Sequence, residues 1–467
     1  MIKNYITPND TGILAESDSS SIQNAVNEAV RRDIRKVVIP RVNERTGEPR
    51  WDIDTAIIIP SDFEMILDNC YIRQADGSAD NVFRNFREGE ETHTLEEESH
   101  DIVIRGIGAA TVDGGKHNGI FEADFKKGVT KSPQINSMIL LHNVKGLRIE
   151  GISFINQRYW AINLHYVEEA KLSDLTIKCD NGYHNLDGID LRSGCNNIIL
   201  ENLFGQSGDD FIALTGFTGG AESERFFVEG KSIDIHDVVI KNIVATSAEC
   251  TVIALRNQDG VKIYNVTVDT VHDTISSNET VNKNPSFVFG FDNNAYRSPK
   301  SPYATLRIGQ KGWIKNKEIE MGEIYGIHVT NLHARTNAAI VINEKLLDSY
   351  FGGIYAGPGV ERVITTKSCR ASQEYGADMK NVVFENIFFT TGELADSSVA
   401  FDFDENLGSH TLENVFIRNA FVGDAATAID MKHKGTLTVS GLFGKKGREG
   451  IVTDGSGRVI LDGEVID

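Results

Sequence analysis

Cysteine is scarce in this 467-residue chain: Cys70, Cys179, Cys195, Cys250 and Cys369 are an odd number without metal-ligand spacing. A disulfide framework and a structural zinc site are thereby excluded, and reduced, mostly buried thiols are expected. Basic residues are also in deficit, since 47 Lys and Arg stand against 67 Asp and Glu for a formal charge of −20. That balance works against a nucleic-acid, anionic-membrane or polyanion partner. No apolar run approaches the length of a membrane span. The start, Met1-Ile2-Lys3-Asn4-Tyr5, lacks the charged-then-apolar layout of a signal peptide, so a cytoplasmic enzyme is expected and the sequons at Asn9, Asn265 and Asn278 are read as coincidence. Low-complexity runs are absent as well. With 40% hydrophobic and 24% charged residues the composition is that of an ordered protein. No cofactor and no metal are expected, and the oligomeric state is not readable.

What is present is a repeat. Asp18-Ser19-Ser20-Ser21 supplies cap residues ahead of Ile22, Ala25, Val26, Ala29 and Val30 at helical spacing, predicting a helix that ends near Asp33. Val37-Val38-Ile39-Pro40 then reads as a short buried strand stopped by proline. From about residue 100 one phrase recurs: a short alternating strand, an Asn or Gly near the middle, then a second strand. Leu147 to Phe154, Leu172 to Ile177, Ile198 to Phe204, Val238 to Val244 and Val261 to Val268 are its best copies, with weaker ones at Ile324 to Leu332, Val382 to Phe388, Leu412 to Ala420 and Leu437 to Leu442. Neighbouring good copies lie about 24 to 26 residues apart, a period typical of stacked coils.

Short strands with almost no helix between them cannot build a doubly wound sheet, whose crossovers need helices. They can stack. The expectation is an all-β chain, a single right-handed parallel β-helix over residues 1–467, with residues 1–50 as capping helix and first coil and repeated coils over about 100–445. Two stretches break the period, 216–232 and 273–321, and long loops on a solenoid are candidate walls of a binding groove.

A second ladder carries the chemistry. Ile189-Asp190-Leu191, Ile212-Ala213-Leu214 and Ile253-Ala254-Leu255 are equivalent inward-outward-inward triplets, and two residues before each stands Asp187, Asp210 or Thr251. Asp209 adjoins Asp210. Carboxylates stacked one coil apart, roughly 4.8 Å between backbones, raise one another's proton affinity. One then stays protonated while another stays ionised, which is what breaking a glycosidic bond requires.

Asn185-Leu186-Asp187-Gly188-Ile189-Asp190 followed by Gly208-Asp209-Asp210 resembles the paired Asn-x-Asp and Asp-Asp motifs of glycoside hydrolase family 28, the polygalacturonases and their relatives. The helix-plus-strand start and the coil phrase resemble the wider pectin-lyase-like superfamily. The resemblance implies hydrolysis with inversion, with Asp209 as general acid and Asp187 and Asp210 activating water. Two parts of the family pattern are missing. Cys250-Thr251-Val252 stands where a Gly-His-Gly is usual, and the Arg-Ile-Lys that grips a sugar carboxylate has Ile340-Val341-Ile342-Asn343 as its nearest ladder position. Candidate substitutes for sugar contacts are Arg256, Arg307 and Glu249, beside Asn185 and His184 next to the first motif. His165 lies a coil earlier, and Tyr159-Trp160 is either a sugar-stacking platform or core.

Other readings use the same residues. A polysaccharide lyase would hold calcium on the acidic trio, but no Arg or Lys base is evident in that ladder. A glycosyl transferase acting on neutral sugars and a non-catalytic carbohydrate-binding β-helix complete the set. The expected partner in each case is an oligosaccharide or polysaccharide.

Overall fold

The computed structural model describes residues 4–179, 185–218, 224–248, 250–274, 304–309, 323–335, 337–367, 375–392, 395–406 and 408–466. The chain divides into two units, Met1–Asp209 with Phe217–Ile235, and Asp210–Gly216 with His236–Asp467. Both are built of parallel β-helix coils.

The first unit opens with the helix Asp18–Arg31, where the Ser17 side chain caps the Ser20 amide at 3.1 Å and Ile22, Ala25, Val26 and Ala29 form the buried stripe. The strand Lys36–Pro40 follows and starts a parallel ladder through Phe63–Asp68, Ser99–Ile107, Ile139–Glu150, Ile162–Lys178 and Asn196–Ser207. A second ladder joins Ile57–Ile58, Phe83–Arg84, the start of Ile139–Glu150, the start of Ile162–Lys178, and Ile189–Arg192. The register is Ile149 on Leu172 on Leu200, all fully buried. Spacing is looser than the sequence suggests, 23 residues for the first step and 28 for the second. Length is absorbed in the turns, so strand register survives where period does not.

The second unit repeats the plan. One ladder runs through Ile263–Asp273, Ile324–Ala334, Leu346–Ala356, Met379–Phe389, Thr411–Phe421, Lys434–Phe443 and Gly457–Leu461, closed by the antiparallel Glu464–Ile466. The other runs through Ile212–Gly216, Thr251–Asn257, Ala304–Ile308, Ala338–Ile342, Arg362–Thr365, Val399–Asp404, Thr427–Lys432 and Ile451–Thr453. Ile212, Ala213 and Leu214 face Ile253, Ala254 and Leu255, the register the triplets predict. The stretch 273–321 is not one insertion. Ala304–Ile308 is a full coil strand within it, because Ala304, Leu306 and Ile308 alternate inward as their neighbours do.

The recurring mid-strand asparagines have a backbone cause. Asn202, Asn331, Asn386 and Asn419 sit at φ between 52° and 56°, a left-handed conformation that Asn tolerates better than other residues with a Cβ. Their amides then bond along the stack, Asn419 to Asn386 at 2.7 Å and Asn202 to Asp174 at 3.0 Å. Among the described residues no helix is long and apolar enough to cross a membrane. Cys70, Cys179 and Cys195 are buried free thiols, and burial pushes Cys70 and Cys195 up to about 12.

Candidate active site

In the first unit the two aspartate motifs are tied together through one peptide. The Leu186 carbonyl accepts the amides of Gly208 at 3.0 Å and Asp209 at 3.3 Å, and the Asn185 amide donates to Asp209 Oδ2 at 3.3 Å. Gly208 is required by this approach: a Cβ there would stand 2.7 Å from Leu186 Cβ. Asn185 takes a left-handed φ of 55°, which lets its amide turn toward Asp209 while the chain runs on to Asp187 in the turn that leads into Ile189–Arg192.

Asp187 is 3% exposed, and two residues outside the motifs hold its peptide. Its carbonyl accepts the Ala161 amide at 3.1 Å and Gln157 Nε2 at 3.2 Å, and the same Gln157 nitrogen donates to the Leu186 carbonyl at 3.1 Å. Asn185 Nδ2 donates to Glu122 Oε2 at 2.7 Å. Glu122 opens the five-residue helix Glu122–Lys126 and pairs with Lys126 four residues on. The sequence reading missed both Gln157 and Glu122. A signal for Glu122 was available: the long gap between Thr111–Asp113 and Ile139 is a third break in the period.

The outward middle of the first triplet is not solvent-facing. Asp190 is fully buried, as are Asn163 and Leu140 one and two coils before it in register. Arg192 lies 3.9 Å from Asp190, over Trp160 at 4.8 Å and Phe217 at 5.3 Å from ring centroids. Tyr159 and Trp160 stack on each other at 4.5 Å and are 2% and 4% exposed, which fits core packing better than a sugar platform. The described part of the 216–232 stretch packs down over these strands. Phe226 stacks on His165 at 4.0 Å, its carbonyl accepts from His142 Nε2 at 2.8 Å, and Arg225 and Lys231 pair with Glu91 and Glu98. Burial holds His165 well below the usual imidazole range and brings His142 to about 3, so both are neutral.

In the second unit Asp210 is fully buried and meets two guanidiniums, Arg256 at 2.8 Å and Arg307 at 3.6 Å. Arg307 occupies the outward middle of its strand, in register with Ala254 before it and Val341 after it. The sequence placed the nearest counterpart of the missing Arg-Ile-Lys at Ile340–Asn343 and named Arg256 and Arg307 as substitutes; Arg307 sits one coil before Ile340–Asn343, in Ala304–Ile308. Arg307 is 5% exposed, so it is a buried ion-pair partner rather than a solvated side chain. Thr251 and Cys250 hold the place of the absent histidine, and Thr251 Oγ1 lies 3.6 Å from Cys250 Sγ. His184 and Glu249 lie outside the described residues. An exposed trio, Asp62, His100 and Asp101, is within reach of a single cation, but exposed acidic groups gather commonly without one.

Coils of parallel strands with aspartates at the turns that lead into them define a class, and a family comparison makes the chain a glycosidase of that class on a parallel β-helix. Residues 84–224 match the family described as glycosyl hydrolases family 28, and the matched stretch includes both aspartate motifs. Among solved structures, the tailspike protein of E. coli bacteriophage HK620 bound to a hexasaccharide is similar, at 10% identity over 98% of this chain and 78% of that one, with a TM-score of 0.59. An exopolygalacturonase from Thermotoga maritima is similar at 13% identity over 94% and 91%, with a TM-score of 0.51. A family 28 exopolygalacturonase from Yersinia enterocolitica is similar at 11% identity over 99% and 79%, with a TM-score of 0.50. At these identities the likenesses bear on the fold, a right-handed parallel β-helix. No curated protein sequence matches the chain.

Proposed function

We propose that the chain hydrolyses a glycosidic bond in a plant-type, pectin-like oligosaccharide or polysaccharide with inversion. Asp209 gives its proton to the glycosidic oxygen as the bond from the anomeric carbon breaks. Water, deprotonated by Asp187 or Asp210, forms the new bond on the opposite face of the sugar. The observation that carries this reading is the hydrogen-bonded tie between Asn185-Leu186-Asp187 and Gly208-Asp209 in the first unit. Backbone bonds that hold the peptides carrying the two aspartates next to each other favour a preorganised acid and base pair. Asn185, His184, Glu249, Arg256 and Arg307 are assigned to the sugar; Asn185 already donates to Glu122, and the two arginines already pair with Asp210.

The arginines beside Asp210 are the one observation that favours the lyase reading, because a lyase needs a base of that kind near its acidic cluster. Both readings are separated by incubating wild type and Asp209→Asn with pectic, neutral and fructan oligosaccharides and following new reducing ends and product anomer by NMR. Hydrolysis with inversion, lowered about 10²-fold or more in Asp209→Asn, is expected. An unsaturated, calcium-dependent product would establish the lyase. No turnover by wild type on any sugar would leave a binding module.

A further inference from the structure

We infer that Glu122 is a positioning residue for Asp209, acting through Asn185; the inference rests on the proposed hydrolysis. Glu122 lies 63 positions before Asn185 and belongs to neither aspartate motif, yet its Oε2 accepts from Asn185 Nδ2 at 2.7 Å. Asn185 in turn gives its backbone N–H to Asp209 Oδ2 at 3.3 Å. The two bonds share one residue held at φ 55°, a conformation sparsely populated by residues with a Cβ. Asn185 is flanked by the Leu186 peptide, which three donors fix: Gly208 N, Asp209 N and Gln157 Nε2. On the side-chain side of Asn185 the Glu122 carboxylate supplies the corresponding hold.

Glu122 is itself held. It pairs with Lys126 one helical turn later, an i,i+4 arrangement with Glu on the N-terminal side, the stronger orientation. Its side chain is 22% exposed, so the charge keeps contact with water and avoids the full cost of burial. The carboxylate therefore works as a two-sided bracket, with Lys126 on one side and the Asn185 amide on the other. What it restrains is the amide that faces Asp209. A misplacement of about 1 Å at a reacting group costs on the order of 10²-fold in rate, so a residue that touches neither substrate nor reacting atoms still shows in kcat.

The test is a series on the full chain with the oligosaccharide that wild type cleaves. Glu122→Ala removes the acceptor for Asn185 and is expected to lower kcat about 10-fold to 100-fold with KM within about 2-fold. Glu122→Gln keeps an acceptor oxygen and is expected to restore most of kcat. Lys126→Ala removes the outer pair and is expected to stay within about 3-fold of wild type. A merely structural role would lower the melting temperature of Glu122→Ala and Glu122→Gln together and leave kcat per folded molecule unchanged, which would overturn the inference. So would a loss in Glu122→Ala that appears in KM alone. As a readout that needs no turnover, the Asn185 side-chain amide resonances should shift and exchange faster with solvent in Glu122→Ala and return in Glu122→Gln; unchanged resonances would show that the bond is not made. If wild type is active and Asp209→Asn is not, while Glu122→Ala is fully active, the positioning role fails and the hydrolase stands. If wild type is inactive on every sugar, the hydrolase reading itself fails.

Discussion

In the second unit the strand Met379–Phe389 alternates, its inward residues buried and its outward ones open to water, whereas Val399–Asp404, a few residues further along the chain, is buried at every position but its ends. The same contrast holds from Ile212–Gly216 as far as Val399–Asp404; beyond it the outward Asp430 is half-buried and Val452 is 45% exposed. On the open ladder the outward side chains include Tyr355, stacked on His333 at 4.6 Å, and Phe388, stacked on Phe421 at 5.0 Å; Tyr355, Phe388 and Phe421 are 40–45% exposed. On the covered ladder the outward positions hold Ala213, Ala254, Arg307, Thr365 and Asp402, at most 5% exposed. Their charges are matched at short range: Asp402 meets Arg362 at 2.8 Å and Lys367 at 3.0 Å, as Asp210 meets Arg256 and Arg307. The first unit has its own covered set in Leu140, Asn163 and Asp190. The buried charge pairs sit on the covered faces, where lower polarity strengthens each interaction and packing fixes its geometry, whereas Lys380 and Glu413 pair on the open ladder with both side chains about half exposed.

The largest effect should come from unpairing a covered charge. Arg307→Ala leaves Asp210 buried with one guanidinium fewer and is expected to cost about 3–5 kcal/mol in chemical denaturation. A cost under about 1 kcal/mol would show that water reaches the pair and that the face is not covered. Asp402 offers the same comparison with Arg362→Ala, and its arginine is more exposed, so the loss should be smaller.

Next comes a pH effect on the first unit's covered face. Burial lowers His142 to about 3, so the unfolded chain binds a proton that the folded one refuses below the ordinary imidazole value. Stability is therefore full above about pH 6.5 and falls as pH drops from there toward 3, by up to about 1.4 kcal/mol per unit, or about 2 kcal/mol at pH 5. His142→Phe keeps a ring beside Phe86 and Phe226 and removes the titration, so its stability should fall less steeply over that window. Equal slopes for the two proteins would mean that water enters beneath Phe226.

The smallest effect is expected on the open ladder. Phe388 is 45% exposed, so Phe388→Ser should change stability by no more than about 0.5 kcal/mol. A larger loss would mean that stacking on Phe421 contributes as a covered contact does, and would blur the contrast between the ladders.

Particular residues show why some of this was legible in the sequence. The triplets gave the register of Ile212 on Ile253, because a period of two allows no slip without turning every aliphatic outward. The mid-strand asparagines were legible for a conformational reason, since few other residues accept the left-handed turn. Two features were not legible for a shared cause. Asp190 is outward, as its triplet predicts, yet it is buried. Arg307, a candidate sugar contact, also pairs with Asp210. Alternation reports which face a side chain takes; it carries no information about what covers that face. The coil Ala304–Ile308 was hidden in the 273–321 stretch because the amino-acid sequence on either side of it departs from the coil period.

The sequence by itself determined the coil, its inward aliphatics, the left-handed asparagines and the placing of Asp187, Asp209 and Asp210 at turns that lead into strands. These depend on periods of two and on the preferences of single residues, both local properties. The tertiary structure alone decided that Glu122 holds Asn185 from 63 positions away, that Gln157 holds the Leu186 and Asp187 peptides, and that Arg256 and Arg307 close on Asp210. Those contacts depend on the lengths and paths of the connections between strands. No local pattern encodes them, because a hydrogen bond or ion pair forms wherever the folded chain brings donor and acceptor within about 3 Å.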